Sequence, residues 1–134
     1  MSPDLVVIHS DGCSKGNPGP AAIGATIKDE AGKLLITISQ TIGHATNNQA
    51  EYRAAVAALT EARRLGAHRV NLYSDSELMV KQLRGEYRVK NQGLKPLQAE
   101  LIKLTCGLQS FTVKYIPREQ NREADALANK ALGL

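Results

Sequence analysis

This chain of 134 residues has no tryptophan and a single phenylalanine. Its core must therefore be packed from aliphatic side chains and alanine. Cysteine is almost as scarce. Cys13 and Cys106 lie far apart and form no CxxC pair, which excludes a thiolate-bound structural metal. Two free thiols in a reducing compartment are expected rather than a disulfide. The three histidines, His9, His44 and His68, show no HxxxH spacing, so a zinc-hydrolase helix is excluded. No apolar run approaches the about 20 residues of a membrane helix, and no basic-then-apolar leader opens the chain. A soluble cytoplasmic protein with no membrane association is the expectation. Repeats, low-complexity tracts and linkers are missing too, so one domain spanning residues 1–134 is expected. Nothing in the pattern calls for an obligate protein partner.

What is present is ordinary globular composition, with 43% hydrophobic residues, and a formal net charge of +4. The charge favours an anionic partner without establishing one. Residues 4–12 contain the apolar run Leu5-Val6-Val7-Ile8 and read as a strand buried on both faces. Residues 21–28 and 33–42 read as two further strands joined by a turn at 29–32. Thr46 with Gln49 has the form of a capping box, and 47–65 is rich in helix formers, closed by Gly66. Residues 69–74 read as strand four and 76–84 as a short helix stopped by Gly85. After a polar stretch at 86–92, leucines at helical spacing mark a helix over 94–108, with Pro96 in its first turn. Residues 110–116 alternate as strand five, and 122–132 form a last helix. The order βββαβααβα predicts an α/β fold with a mixed five-stranded sheet, its first three strands antiparallel and flanked by helices.

Four carboxylates fall at comparable places in this order. Asp11 ends strand one, and a glycine- and proline-rich loop, 12–20, follows it. Asp75 ends strand four. Glu51 lies in about the first turn of the long helix, and Asp125 in the first turn of the last helix. Each has a bland alternative. Asp11 could start a turn, Asp75 could cap a helix, and Glu51 and Asp125 could favour a helix N-terminus. Against these stands the coincidence of all four, with Asp11 and Asp125 interrupting apolar surroundings where a charge is costly. If strands one and four are parallel neighbours, their carboxyl ends meet where open α/β sheets bind ligands. A cluster of carboxylates without Cys or His suits Mg²⁺ or Mn²⁺, which take oxygen ligands. His9, two residues before Asp11, is a candidate to line the same site, or else a packed histidine.

These residues resemble type 1 ribonuclease H over essentially the whole chain. "DGCSKGNPGPAAIG", "TNNQAEYRAAVAAL", "LYSDSELMVKQL" and "NREADALANKAL" are similar, in order and spacing, to that family's four motifs. The resemblance implies a ribonuclease H-like fold and hydrolysis of the RNA strand of an RNA–DNA hybrid, leaving 5′-phosphate and 3′-hydroxyl ends. It implies two divalent ions, Mg²⁺ with Mn²⁺ as an alternative, held by Asp11, Glu51, Asp75 and Asp125, with Asp11 bridging. Asn17, Asn47 and Asn48 match positions that meet the hybrid, and Thr46 and Asn91 match positions that hold a DNA-strand phosphate. Double-stranded RNA is left open as a further partner.

The chain departs from the family pattern twice. "LRGEYRVKNQGL" is too short for the basic protrusion that many members carry. The loop "IPREQN" holds no histidine where many members have a catalytic one. Arg118 and Glu119 are the candidates for its work, and Arg118 is favoured because a positive charge suits a phosphate. A non-catalytic hybrid-binding module and another metal nuclease on the same scaffold remain as alternative functions.

Overall fold

The structure, a computed structural model, describes residues 3–134. Five strands form one sheet: β1 (Leu5–Ser14), β2 (Gly19–Asp29), β3 (Leu34–Ala45), β4 (Arg69–Ser74) and β5 (Ser110–Tyr115). Their order is β3-β2-β1-β4-β5. β1 to β3 form an antiparallel meander, and β4 and β5 run parallel to β1. The aliphatic run thus takes the central place, and Val6 and Ile8 are fully buried.

The first parallel crossover is made by α1 (Asn47–Arg64). The capping box forms as its sequence demands. Gln49 N donates to Thr46 Oγ1 at 3.1 Å, and Thr46 N donates to Gln49 Oε1 at 2.9 Å. The buried face of α1 is largely alanine: Ala50, Ala54, Ala55, Ala58 and Ala62, with Tyr52 and Leu59. Small side chains let the helix lie close to the sheet, and Tyr52 is among the largest fully buried side chains. Its hydroxyl, donating to Gln82 Oε1 at 2.6 Å, satisfies the polar end of the buried ring. Helices α2 (Glu77–Leu83) and α3 (Lys95–Thr105) form the second crossover, and α4 (Arg122–Ala131) closes the chain.

Two expectations need correction. The chain after Asp11 is not a long bare loop. β1 continues to Ser14, with Gly12, Cys13 and Ser14 paired to Ile23, Ala22 and Ala21, so the connection shrinks to 15–18. Glycine and proline density masked a hairpin whose ladder tolerates both residues. The helix read over 94–108 stops at Thr105, because Gly107 turns the chain at φ 93°. Leu108 still packs on the core from beyond the helix.

Candidate active site

Register places the first two carboxylates side by side. The β1–β4 ladder ends at the pair Ser10–Ser74, so Asp11 and Asp75 are the next residues on adjacent parallel strands. From there the strands diverge in partner. Asp11 stays paired to Gly24 of β2, while β4 gives way to α2. Asp75 does not cap that helix. Ser76 does, accepting from Met79 N at 3.2 Å, which leaves the Asp75 carboxylate free of that duty.

Glu51 is brought in by close packing. A Cβ on Gly12 would lie 2.2 Å from the Ala50 carbonyl carbon and 2.5 Å from Glu51 N, so only glycine lets α1 approach β1 here. The half-buried Gly12 N–H then donates to Glu51 Oε1 at 2.7 Å. Glu51 lies in the second turn of α1, whose first turn has no acidic residue; it reaches toward β1 instead of serving the helix N-terminus.

Asp125 arrives on the opposite face. Gly24, the partner of Asp11, would with a Cβ meet Ala124 O at 2.2 Å and Ala128 N at 2.5 Å. α4 therefore lies directly on β2, with Asp125 in its first turn. Asn129 Nδ2 donates to Asp125 Oδ2 at 3.4 Å, and Arg118 Nη2 stands 3.7 Å from Asp125 Oδ1.

One oxygen from each of Asp11, Glu51 and Asp75 lies within 4.8 Å of the others. Asp125 is outside that trio but lines the same cavity of about 370 Å³, with Gly12, Cys13, Asn47, Tyr115, Arg118 and Asn129. Like charges at this spacing repel by roughly 3–4 kcal/mol per pair at an effective dielectric near 20. Burial first, then the charges of Glu51 and Asp75, push the Asp11 carboxyl up to about 10. Burial and Asp75 push Glu51 up to about 8, against the Gly12 N–H, which favours its ionised form. Asp11 interacts with all three of the other carboxylates, so it is the centre of the cluster. An all-oxygen set this crowded is chemistry for a hard divalent cation.

The remaining candidate residues gather around the N-terminus of α1. Asn17 Oδ1 accepts from Asn47 N at 3.0 Å, and Asn47 Oδ1 accepts from Ser14 N at 3.1 Å. Thr46 is the N-cap, and Asn48 is exposed beside it. Asn91 Oδ1 accepts from Gly93 N at 2.7 Å, and Gly93 in turn approaches the Gln49 amide. Arg118 lines the carboxylate cavity, whereas Glu119 and His9 do not. His9 is a packed residue, stacked on Tyr73 at 5.1 Å, and burial followed by the Lys28 charge holds its pKa below the ordinary value.

A protein-family model described as "Reverse transcriptase-like" matches residues 9–131. Ribonuclease HI of Halobacterium salinarum is 42% identical over 124 residues, covering 92% of this chain and 62% of that protein. The crystal structure of RNase H1 from Halobacterium salinarum NRC-1 superposes with a TM-score of 0.93 at 40% identity, covering 96% of this chain and 98% of that one. The chain belongs to the type 1 ribonuclease H family. LC11-RNase H1, solved in complex with an RNA/DNA hybrid, has a TM-score of 0.91 at 39% identity, with 96% of each chain covered. The chain spans less than two thirds of the length of the curated Halobacterium salinarum relative.

Within this ribonuclease H fold the sequence reading missed several cavity residues. Cys13 lies two positions beyond Asp11 in a strand, a spacing that marks the same face once the hairpin is known. Burial, followed by Asp11, Asp125 and Glu51, pushes its thiol up. Asn129 follows Asp125 by one helical turn, a signal that the sequence offered. Tyr115 gave no signal beyond its place at the end of β5.

Proposed function

We propose that this chain is a metal-dependent endoribonuclease that hydrolyses the RNA strand of RNA–DNA hybrids, leaving 5′-phosphate and 3′-hydroxyl ends. The observation that carries this reading is the convergence of Asp11, Glu51 and Asp75 at the carboxyl edge of the sheet, with Asp125 in the same cavity. The complete carboxylate set argues against a binding-only module. The hybrid complex of LC11-RNase H1 supports the substrate class. Residues 1–134 are taken as one catalytic domain, working in a reducing cytoplasm where Cys13 and Cys106 stay free.

The all-oxygen donor set fits hard divalent ions, and Asp11, Glu51, Asp75 and Asp125 would hold two of them, Mg²⁺ first and Mn²⁺ second. Bound ions supply charge relief to the attacking and leaving oxygens of phosphodiester hydrolysis. The chain's own part is to hold the four carboxylates at fixed spacing and to bring a phosphate to them. Arg118, the cation nearest Asp125, faces the phosphate and stabilises its added charge. A guanidinium stays protonated near neutral pH, so it does not act as a base.

Asn17, Asn47 and Asn48 meet the hybrid. Asn17 and Asn47 each spend the side-chain carbonyl on a donor of the chain. Their amide NH₂ groups are thereby left as donors for the substrate. Ribose 2′-oxygens and minor-groove base edges are acceptors, so the match is to an RNA-containing minor groove. Asn48 adds a third amide, and Thr46 with Asn91 holds a phosphate of the DNA strand. Incubation with an end-labelled hybrid tests the reading. RNA cut internally, with a 3′-hydroxyl on the upstream product and a 5′-phosphate on the downstream one, is the expected result. Intact RNA with Mg²⁺ present would refute it.

A further inference from the structure

We infer that Asn121 is a positioning residue that fixes the separation of Asp11 and Asp125 and thereby sets the metal affinity of the carboxylate cluster. The inference rests on the metal-ion reading given above. Asn121 is 1% exposed, and its Oδ1 has no hydrogen-bond partner among the described residues. A buried, half-satisfied amide is costly, so its other bonds must justify it. Asn121 Nδ2 donates to the Ser10 carbonyl at 2.9 Å, across 111 residues of sequence. Ser10 immediately precedes Asp11. The Asn121 carbonyl accepts from Asp125 N at 3.1 Å, and Asn121 N donates to the Arg118 carbonyl at 2.9 Å. One residue thus ties together the strand that carries Asp11, the helix that carries Asp125 and the turn that carries Arg118.

The usual role of asparagine at this place is absent. Asn121 is the N-cap of α4, yet its side chain makes no capping bond. Capping is normally what asparagine does there, by accepting from the backbone of the first turn. Here the amide reaches away from the helix to the sheet. Its orientation is forced, since turning the amide over would set Oδ1 against the Ser10 carbonyl. A structural residue would serve the helix; this one serves the gap between helix and strand.

The test is calorimetric titration of the full chain with Mg²⁺ alone, beside thermal melts of the same samples. Asn121→Ala and Asn121→Ser both lose the reach to Ser10. Groups that orient metal ligands typically govern affinity by about tenfold to a hundredfold, and a weakening of that size is expected for both variants. Leu101→Ala, which removes a buried side chain on α3 away from the carboxylates, is the control for destabilisation. It should lower Tm and leave Mg²⁺ binding as in the parent. If Asn121→Ala does not fold, Asn121→Ser carries the test. A lowered Tm with parental Mg²⁺ affinity in the folded Asn121 variants overturns the inference. A parent that binds Mg²⁺ but leaves a hybrid intact refutes the ribonuclease reading and leaves this one standing; a parent that binds no Mg²⁺ overturns both.

Discussion

At the residue scale, Asp11 bears the largest conflict. It is 5% exposed and lines one cavity with three other acids. Without divalent ions its folded pKa, about 10, lies far above the ordinary 3.8, and Glu51 at about 8 lies above 4.5. The folded state then holds protons that the unfolded chain releases above about pH 4–5. Stability is therefore full at acid pH and is lost as pH rises through about 8–10. Melts of the metal-free protein should show Tm falling from about pH 5 to about pH 9, and Mg²⁺ should restore it. Asp11→Asn should raise metal-free stability near pH 8 by about 1 kcal/mol or more, since one pKa unit is worth that much. It should also lower hybrid cleavage on the order of 10³-fold, because several kcal/mol of charge stabilisation depend on the ions. A variant no more stable than its parent, or near-normal turnover in Mg²⁺, would remove Asp11 from the centre of the cluster. Arg118 makes a different prediction. The contact proposed for it with the phosphate would strengthen as charge accumulates, so Arg118→Ala should reduce kcat more than it raises KM. Steady-state kinetics beside Glu119→Ala decides the matter. Parental turnover in the first with a crippled second would move the role to the carboxylate.

At the element scale, what assembles the site is the closeness of two helices to the sheet. Gly24→Ala puts a methyl within 2.2 Å of the α4 backbone. Overpacking of this kind costs roughly 1–3 kcal/mol, and here backbone rather than a flexible side chain must yield. Gly24→Ala should therefore lower Tm and weaken Mg²⁺ binding by displacing Asp125; an unchanged Mg²⁺ affinity would mean that α4 does not set the cluster. The sequence reading passed over Gly24, because a glycine inside an alternating strand has no periodic signature of its own. It reached Asp11, Glu51, Asp75 and Asp125 because a carboxylate at a strand end or helix start is visible locally. The β1–β2 hairpin was hidden because Pro18, Pro20, Gly16 and Gly19 signal loop whatever the ladder does. Asn121 was hidden for the opposite reason. It looks like an N-cap, and only the fold shows that its amide goes to Ser10.

At the scale of the whole molecule, the net charge of +4 is spread widely, and many cations are already engaged: Lys28 with Glu123, Arg64 with Glu61, Arg69 with Asp4, Arg84 with Glu86. With no long basic protrusion between α2 and α3, few phosphates can be neutralised. Each contributes about −0.9 to the slope of log K against log salt on B-form DNA, a rough guide for a hybrid. Binding of the domain should therefore weaken with salt at a shallow slope; one steeper than about −7, or about eight phosphates, would mean a wider basic grip on the backbone than this surface offers. The central claim is that this cluster cuts the RNA strand of an RNA–DNA hybrid and needs divalent ions to do so. The direct measurement is a cleavage assay on RNA–DNA hybrid, double-stranded RNA and double-stranded DNA, each with Mg²⁺ and with a chelator, using the parent and Asp11→Asn. The expected result is cleavage of the hybrid's RNA strand by the parent in Mg²⁺, double-stranded DNA left whole, no cleavage with the chelator, and cleavage by Asp11→Asn reduced on the order of 10³-fold. Cleavage of double-stranded DNA at a comparable rate, hybrid cleavage that survives the chelator, or near-parental cleavage without the Asp11 carboxylate would contradict it.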